Sequence, residues 1–488
     1  MASSPPPAGT PAPADLEATR SPRLIPILIT TLVAAAIAVL PLPLAPPAHR
    51  TLVVLAMAAG LWMTEALPVA VTALAIPLLA LLLGITDAKG AFAGFGDPIV
   101  FLFLGTFLLT DAASQHGLNA RLAGAVLGSR RVGGHPRRLL WAVAWLGCGI
   151  SAWVNNTATT VLLLPLALTA ENAGSRRLLV GTLLMCAYAP SLGGIATPVG
   201  TAPNLIGLRL LEQVTGERPS FARWCVTFAP LALLGTALTG AWLGRRAGAE
   251  PRARPAPLAV RPSEPLRRPW SLAERTLMPL FVVVILLWIA PGLLAATPFG
   301  GSAWLKAWQS RLPEPAVPLL GGLLLFVLPS GKGGPILDAG VLRRMDWSTL
   351  LLFGGGLSLG LLMFESGLAR AIGETIFRLM PIEGTYGIVL AATLMGILVS
   401  ELTSNTASAS LVVPVVLALA QAAGVDPVKP ALAATVACSF GFMLPVSTPP
   451  NALVYGTGRL TIRDMVVNGA LLDLVGALLV SGWVTLFG

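Results

Sequence analysis

Charge is what this chain has least of. Asp, Glu, Lys and Arg make up 11% of its 488 residues, against 55% hydrophobic residues and a mean hydropathy of +0.79. A soluble globular domain carries about 25% charged residues, so that class is excluded. Histidine (3), tyrosine (3) and cysteine (4) are also sparse. Cys148, Cys186, Cys225 and Cys438 lie in or beside apolar segments without CxxC spacing, which points to free thiols, not to a disulfide frame or metal site. No GK[ST] or GxGxxG follows a strand pattern, which excludes phosphate loops. A membrane-embedded enzyme would need a nucleophile–base pair, a metal cluster or paired catalytic carboxylates, and none stands near the motifs described below. The pI near 10.3 does not signal nucleic acid, because the arginines sit in short loops between apolar segments.

What is present is a succession of apolar runs, several reaching the ~20 residues that a helix needs to cross a bilayer. The expected class is an all-α polytopic membrane protein with about 11 transmembrane helices and two re-entrant hairpins. Residues 1–22, rich in Pro, Ala and Ser, form a disordered cytoplasmic tail. A retained first helix occupies 23–50, with helical segments near 24–44, 51–64, 67–85 and 97–120. An Arg-flanked stretch, 121–138, lies along the interface. The first repeat spans 51–244, with a hairpin at 139–171 and a broken helix at 178–215. An Arg- and Pro-rich cytoplasmic linker covers 245–275. The second repeat spans 276–488, with a hairpin at 385–421 and a broken helix at 430–458.

With a cytoplasmic N-terminus, this layout puts 22 of the 32 Lys and Arg on the inner side, a bias that favours this orientation for a multi-pass protein, expected in the plasma (cell inner) membrane. Five spanning helices per repeat, an odd number, make the two repeats run in opposite senses.

The chain states its motifs twice. Trp153-Val-Asn155-Asn156-Thr157 precedes a Leu run to Pro165, and Leu402-Thr403-Ser404-Asn405-Thr406 precedes an apolar run to Pro414. Pro198-Val199-Gly200-Thr201-Ala202-Pro203-Asn204 is matched by Pro445-Val446-Ser447-Thr448-Pro449-Pro450-Asn451, and Gly105…Gly117-Leu118 by Gly355…Gly367-Leu368. Polar residues at corresponding places in two apolar halves point to a transporter binding site. One Asn-Thr pair alone would ordinarily be a helix-packing contact. The duplication turns that reading toward a site.

A hairpin tip at membrane depth leaves backbone groups that only a polar occupant can satisfy. Helices restarting after each tip aim N–H groups at an anion. Freed carbonyls suit a small hard cation, and Asn156 and Asn405 offer both an acceptor and a donor. The hydroxyls of Thr157, Thr201, Ser404, Thr406 and Thr448 can bind a carboxylate or a sulfate. Neither hairpin core nor either Pro-Asn break contains Lys, Arg or His, so a bound divalent anion needs accompanying cations. Glu401 and Glu65 are intramembrane carboxylates and candidate functional groups; a salt bridge or an N-terminal helix partner is the alternative for Glu401. The Gly193-Gly194 and Gly354-Gly355-Gly356 runs read as close helix contacts.

These residues, together with Trp62-Met-Thr-Glu65-Ala-Leu-Pro68, closely resemble the divalent anion/sodium symporter family over nearly the whole chain beyond its first twenty residues. The resemblance implies an elevator-type transporter, in which a scaffold dimerises and a transport part of hairpins and broken helices slides across the membrane. It implies one Na+ site from Ser151, Asn155, Asn156 and Gly200, and another from Ser400, Thr403, Asn405 and Ser447. Substrate would touch Asn156, Thr157, Thr201, Ser404, Asn405, Thr406, Thr448 and Pro449. The chain departs from the family at Asn155, where a Ser is usual, so a larger amide stands where the first Na+ and a substrate oxygen would meet.

The function expected on these grounds is sodium-coupled symport of divalent anions into the cell, with C4-dicarboxylates such as succinate or malate favoured. The lipid bilayer, the anion and a second copy of the chain in a homodimer are the expected partners. The alternatives within the fold are a sodium-independent anion exchanger and a sulfate or oxyanion transporter. A channel is a further rival, disfavoured by closed tips and inverted repeats.

Overall fold

The computed structural model describes residues 23–127, 136–247, 269–379, 382 and 384–488. The expected N-terminal tail and residues 248–268 of the expected linker lie outside them. Helices α1 (Leu24–Val39), α2 (Pro46–Thr64) and α3 (Val69–Leu82) come first. The expected first helix over 23–50 is thus two pieces. Pro46 and Pro47 occupy the first turn of α2, where a missing N–H goes unnoticed, so α2 starts before residue 51.

The expected helix over 97–120 also divides, into α4 (Pro98–Gln115) and α5 (Leu118–Leu127). Gly117, at φ +75°, turns the chain between them. Its repeat mate Gly367, at φ +79°, makes the same turn in the second half. A left-handed residue at a helix C-terminus favours glycine, which accounts for one matched pair in the sequence.

Next come α6 (Pro136–Ser151), α7 (Asn156–Leu168), α8 (Arg176–Gly194), α9 (Ala202–Thr215) and α10 (Phe221–Ala247). Arg245 and Arg246, placed in the linker by sequence, belong to the last turn of α10. The linker also ends early. Ser271 caps α11 (Leu272–Ala295) in a reciprocal box with Glu274, so residues 272–275 are helical. The chain continues through α12 (Ala303–Arg311), α13 (Ala316–Leu324), α14 (Trp347–Glu365) and α15 (Leu368–Leu379). It ends with α16 (Gly384–Leu402), α17 (Asn405–Ala422), α18 (Val428–Ala437), α19 (Pro449–Gly456) and α20 (Ile462–Phe487).

Among the described residues the only β pairing is an isolated bridge between Pro329 and Pro335. Seven helices there are long and apolar enough to cross a membrane: α4, α10, α11, α14, α16, α17 and α20. Helices α1, α3 and α18 are apolar but shorter. A count of intact helices therefore differs from the expected figure of about eleven spans, because interrupted helices contribute pieces shorter than the ~30 Å hydrocarbon core.

Every residue of α8 from Leu178 to Gly194 is buried, so α8 lies at the centre. On the outside, Leu24, Ile25, Leu28 and Leu32 of α1 and Val282, Val283, Leu286 and Leu293 of α11 are exposed, as lipid-facing positions would be. The halves interlock crosswise. The helix leaving the first tip, α7, packs on α19 of the second half, and α17, leaving the second tip, packs on α9 of the first. Helix α4 packs on α13, and α14 on α3. A buried ion pair adds a further tie, with Arg121 Nε 2.8 Å from Glu274 Oε1 and the guanidinium stacked 5.0 Å from the Trp270 ring centre.

The interlock is tightest where Gly207 of α9 meets Thr435 of α18, since a Cβ at 207 would lie 1.8 Å from Thr435 Oγ1 and 2.6 Å from its Cβ. Gly207→Ala should destabilise the protein by about 1–3 kcal/mol as overpacking does. Thermal unfolding in detergent would read the loss, and Thr435→Gly in the same chain should restore most of it.

Candidate functional site

Both tips are built the same way. Helix α6 ends at Ser151 and α7 restarts after Asn155, whose side-chain oxygen accepts a hydrogen bond from the Ala158 N–H at 2.8 Å. Helix α16 ends at Leu402 and α17 restarts after Ser404, whose hydroxyl accepts from the Ala407 N–H at 3.3 Å. Asn155 and Ser404 therefore do one job, capping the restarted helix. Asn and Ser serve about equally well at that position, a physical reason for an Asn where the family usually has Ser.

One residue on, the match becomes a set of oxygens. Ser151 Oγ lies 2.7 Å from Asn156 Oδ1 and 3.3 Å from the Val154 carbonyl. Ser400 Oγ lies 2.9 Å from Asn405 Oδ1 and 2.7 Å from the Cys438 carbonyl. Each hydroxyl has one proton and faces two acceptors. Neutral oxygens in excess of the available protons suit a small hard cation. These donor sets fit Na+.

The two breaks are equally alike. Helix α8 ends at Gly194 and α9 restarts after Thr201; α18 ends at Ala437 and α19 restarts after Thr448. The Asn204 amide donates to the carbonyls of Gly194 (2.9 Å) and Thr197 (2.8 Å). The Asn451 amide donates to those of Gly441 (2.9 Å) and Leu444 (3.0 Å), the repeat-equivalent residues. Both asparagines keep a buried Oδ1 without a hydrogen-bond partner.

Tip and break meet within each half. A Cβ on Gly194 would lie 2.9 Å from Asn156 Oδ1 and 3.1 Å from Thr201 Cβ, and one on Gly200 would lie 3.0 Å from the Ser151 carbonyl. A Cβ on Gly441 would lie 3.0 Å from both the Ser400 carbonyl and Ser447 Cβ. Ser151, Asn156, Gly200 and Thr201 are thus brought together, as are Ser400, Asn405 and Ser447.

Thr157 and Thr406 are half-buried in the first turns of α7 and α17. Thr403 is buried at the end of α16, and Ser404 is half-buried beside it. Thr448 caps α19 by accepting from the Asn451 N–H at 3.2 Å, while Pro449 is exposed at the start of that helix.

The sequence reading missed Gly194, which it took for a helix contact, and Gly441. Their repeat-equivalent spacing was the available signal. It also missed Asp473, a lone carboxylate inside the apolar run of α20, although an ionisable residue in such a run is a functional candidate by default.

Glu401 is a hydrogen-bond acceptor for the second break. Its carboxylate accepts from the N–H groups of Met443 (2.8 Å) and Leu444 (3.1 Å) and from Ser447 Oγ (2.9 Å). The first half has Ala152 at the equivalent place. There the Ala152 carbonyl accepts from Thr197 Oγ1 at 2.5 Å, and Trp224 Nε1 donates to the Ile195 carbonyl at 3.0 Å.

Each half thus carries two helix N-termini, at Asn156 and Ala202 in the first and at Asn405 and Pro449 in the second, each next to hydroxyl and amide groups. Such ends bind anions. The clusters of oxygen beside them have the chemistry that suits a small hard cation.

The family model for the sodium:sulfate symporter transmembrane region matches residues 21–488. An uncharacterized transporter from Haemophilus influenzae is 32% identical over 456 residues, covering 90% of this chain and 92% of the relative. The sodium-dependent dicarboxylate transporter SdcS of Staphylococcus aureus is 30% identical over 442 residues, covering 86% and 82% respectively. Among solved structures, the YdaH transporter of Alcanivorax borkumensis superimposes with a TM-score of 0.57 at 16% identity, over 90% of this chain and 98% of that one. MtrF of Neisseria gonorrhoeae gives 0.57 at 13% identity, over 99% and 96%. These two share the fold.

Capping by Asn155 makes a distinct prediction. Asn155→Ser should keep thermal stability within a few tenths of a kcal/mol, whereas Asn155→Ala should lose about 0.5–2 kcal/mol. Equal losses in the two variants would show that the side chain does more than cap.

Proposed function

The chain belongs to the sodium:sulfate symporter family, and from that premise we propose that it carries small divalent anions into the cell together with Na+, C4-dicarboxylates such as succinate or malate foremost. Members of the family are membrane transporters, not enzymes, and this chain is a secondary transporter of that type.

The observation that carries the reading is the duplicated pairing of an oxygen cluster with a restarted helix. At Ser151–Asn156 and again at Ser400–Asn405, a hydroxyl and a carboxamide oxygen stand 2.7 and 2.9 Å apart at the mouth of a helix N-terminus. Na+ at each cluster, held with Gly200 and Ser447 nearby, would supply the positive charge that the side chains do not. The anion would then lie against the N-termini and the hydroxyls of Thr157, Thr201, Ser404, Thr406 and Thr448. The name of the SdcS relative supports both dicarboxylate and sodium dependence.

Several finer points belong to the same proposal. The N-terminus is cytoplasmic, on the bias of the loop charges. The two halves are inverted repeats, with 139–171 and 385–421 entering the membrane from opposite sides. Transport proceeds by elevator motion of the tips and breaks against a dimeric scaffold. Sulfate is the second reading, favoured by the description of the family model and by donors that would also serve a tetrahedral oxyanion.

Purified protein in liposomes with an inward sodium gradient should accumulate labelled succinate, with no internal substrate needed. Uptake that required preloaded anion and ignored sodium would identify an exchanger instead. Competition by unlabelled sulfate that exceeded competition by malate would move the assignment to oxyanions. Asn405→Ala or Thr406→Ala should each cut uptake at least about tenfold, the worth of one hydrogen bond of ~1.5–3 kcal/mol to a charged group, with the fold retained. Wild-type rates in both variants would show the site to be elsewhere.

A further inference from the structure

The second half contains a carboxylate pair without a counterpart in the first. Glu401 lies in α16 and is 3% exposed; Asp473 lies in α20 and is 5% exposed. Three donors surround the Glu401 carboxylate. Asp473 differs. Both of its oxygens are buried and neither has a hydrogen-bond partner.

The geometry of α20 shows where Asp473 points. Gly469 and Gly476 lie on the same helical face, four residues before it and three after. A Cβ on Gly469 would sit 2.4 Å from the Phe442 carbonyl carbon and oxygen, and one on Gly476 would sit 2.6 Å from the Phe440 ring. Asp473 is therefore pressed against the second break between those contacts. It faces the Glu401 carboxyl and the Phe442 backbone. Tyr188 of α8, wholly buried, reaches the same spot and donates its hydroxyl to the Phe442 carbonyl at 2.8 Å. None of the ion pairs among the described residues includes either carboxylate. Two adjacent buried carboxylates do not both stay charged without a cation or a shared proton between them.

We propose that Glu401 and Asp473, with the Tyr188 hydroxyl and the Phe442 carbonyl, form a further Na+ site beside the second break, distinct from the two tip clusters. All of these ligands are oxygens, the set a hard monovalent cation takes, and the carboxylates offer it the negative charge that the neutral tip clusters lack. Because Glu401 also holds the N–H groups of Met443 and Leu444, an ion at this place would fix the break that carries Ser447 and Thr448. The inference rests on the sodium-coupled reading above and extends it.

The test is sodium-dependent thermal stabilisation of the purified full-length chain in detergent, titrated with NaCl against choline chloride at constant ionic strength. Wild-type protein should gain stability with sodium. Asp473→Asn should start more stable in choline, since a bare buried charge is gone, and should need about tenfold more sodium for half of its gain, because carboxylate count sets cation affinity. A titration of Asp473→Asn that overlays wild type overturns this site, the expected outcome for a pair that only shares a proton. A wild-type chain unmoved by sodium overturns the sodium-coupled reading itself, so the two failures are told apart. Should Asp473→Asn not fold, bound 22Na+ counted on wild-type protein decides. Three ions per chain would support the site, and two would overturn it.

Discussion

Backbone that leaves a helix inside a membrane must find partners, and most of this structure answers that constraint. Each unpaired buried N–H or C=O costs about 1–3 kcal/mol, and each interrupted helix exposes several. Asn204 and Asn451 each spend both amide hydrogens on carbonyls of the break they follow. Trp224 and Thr197 take two more carbonyls in the first half, and Glu401 takes two N–H groups in the second. These groups hold the breaks open while leaving the tip oxygens and helix N-termini for something else. A polar solute is what can satisfy them.

The second consequence is that neither half stands alone. A restarted helix of eight residues such as α19 has little stability of its own, because short isolated helices are marginal. It is held by α7 and α8 of the other half. The crosswise contacts, tightest at Gly207, mean that a ligand ordering one tip also bears on the other half's break. The halves are nonetheless chemically unequal. Ala152 stands where Glu401 does, and there a backbone carbonyl accepts a hydrogen bond from the break, through Thr197 Oγ1, where the second half uses a carboxylate. Only the second break is built around negative charge.

What the sequence showed, and what it hid, follows from the kind of signal each residue gives. The duplicated Asn-Thr and Thr-x-Pro-Asn motifs were visible because the same physical problem is solved twice with the same residue types, at matched spacing. The class of the protein was visible in its lack of charge. Helix boundaries were less legible. Proline at a helix start and proline within a helix look alike in sequence, so α2 was placed to begin late, and the continuous run through Gly117 hid a left-handed turn. Asp473 was hidden for the opposite reason to the motifs. It occurs once, so no comparison between halves could raise it. Its importance appears only when α20 is laid against Phe440 and Phe442 by Gly469 and Gly476.

The same geometry bears on the order in which ions and anion would bind. In the structure the Oδ1 atoms of Asn156 and Asn405 are occupied by serine hydroxyls. A carboxamide is planar, so whatever holds its oxygen also aims its two amine hydrogens. On the proposed reading, Na+ entering the Ser151 and Ser400 clusters would replace a hydroxyl proton as the partner of that oxygen. It would thereby fix the amide plane and leave the N–H groups presented to the site. An anion arriving first would meet amides free to turn and no cation to offset its charge, in surroundings where an uncompensated dianion is costly. An anion arriving second would meet oriented donors and, beside them, a positive charge. Coupling then needs no lever between distant sites, because one rigid side chain in each half carries an acceptor for the cation and a donor for the anion.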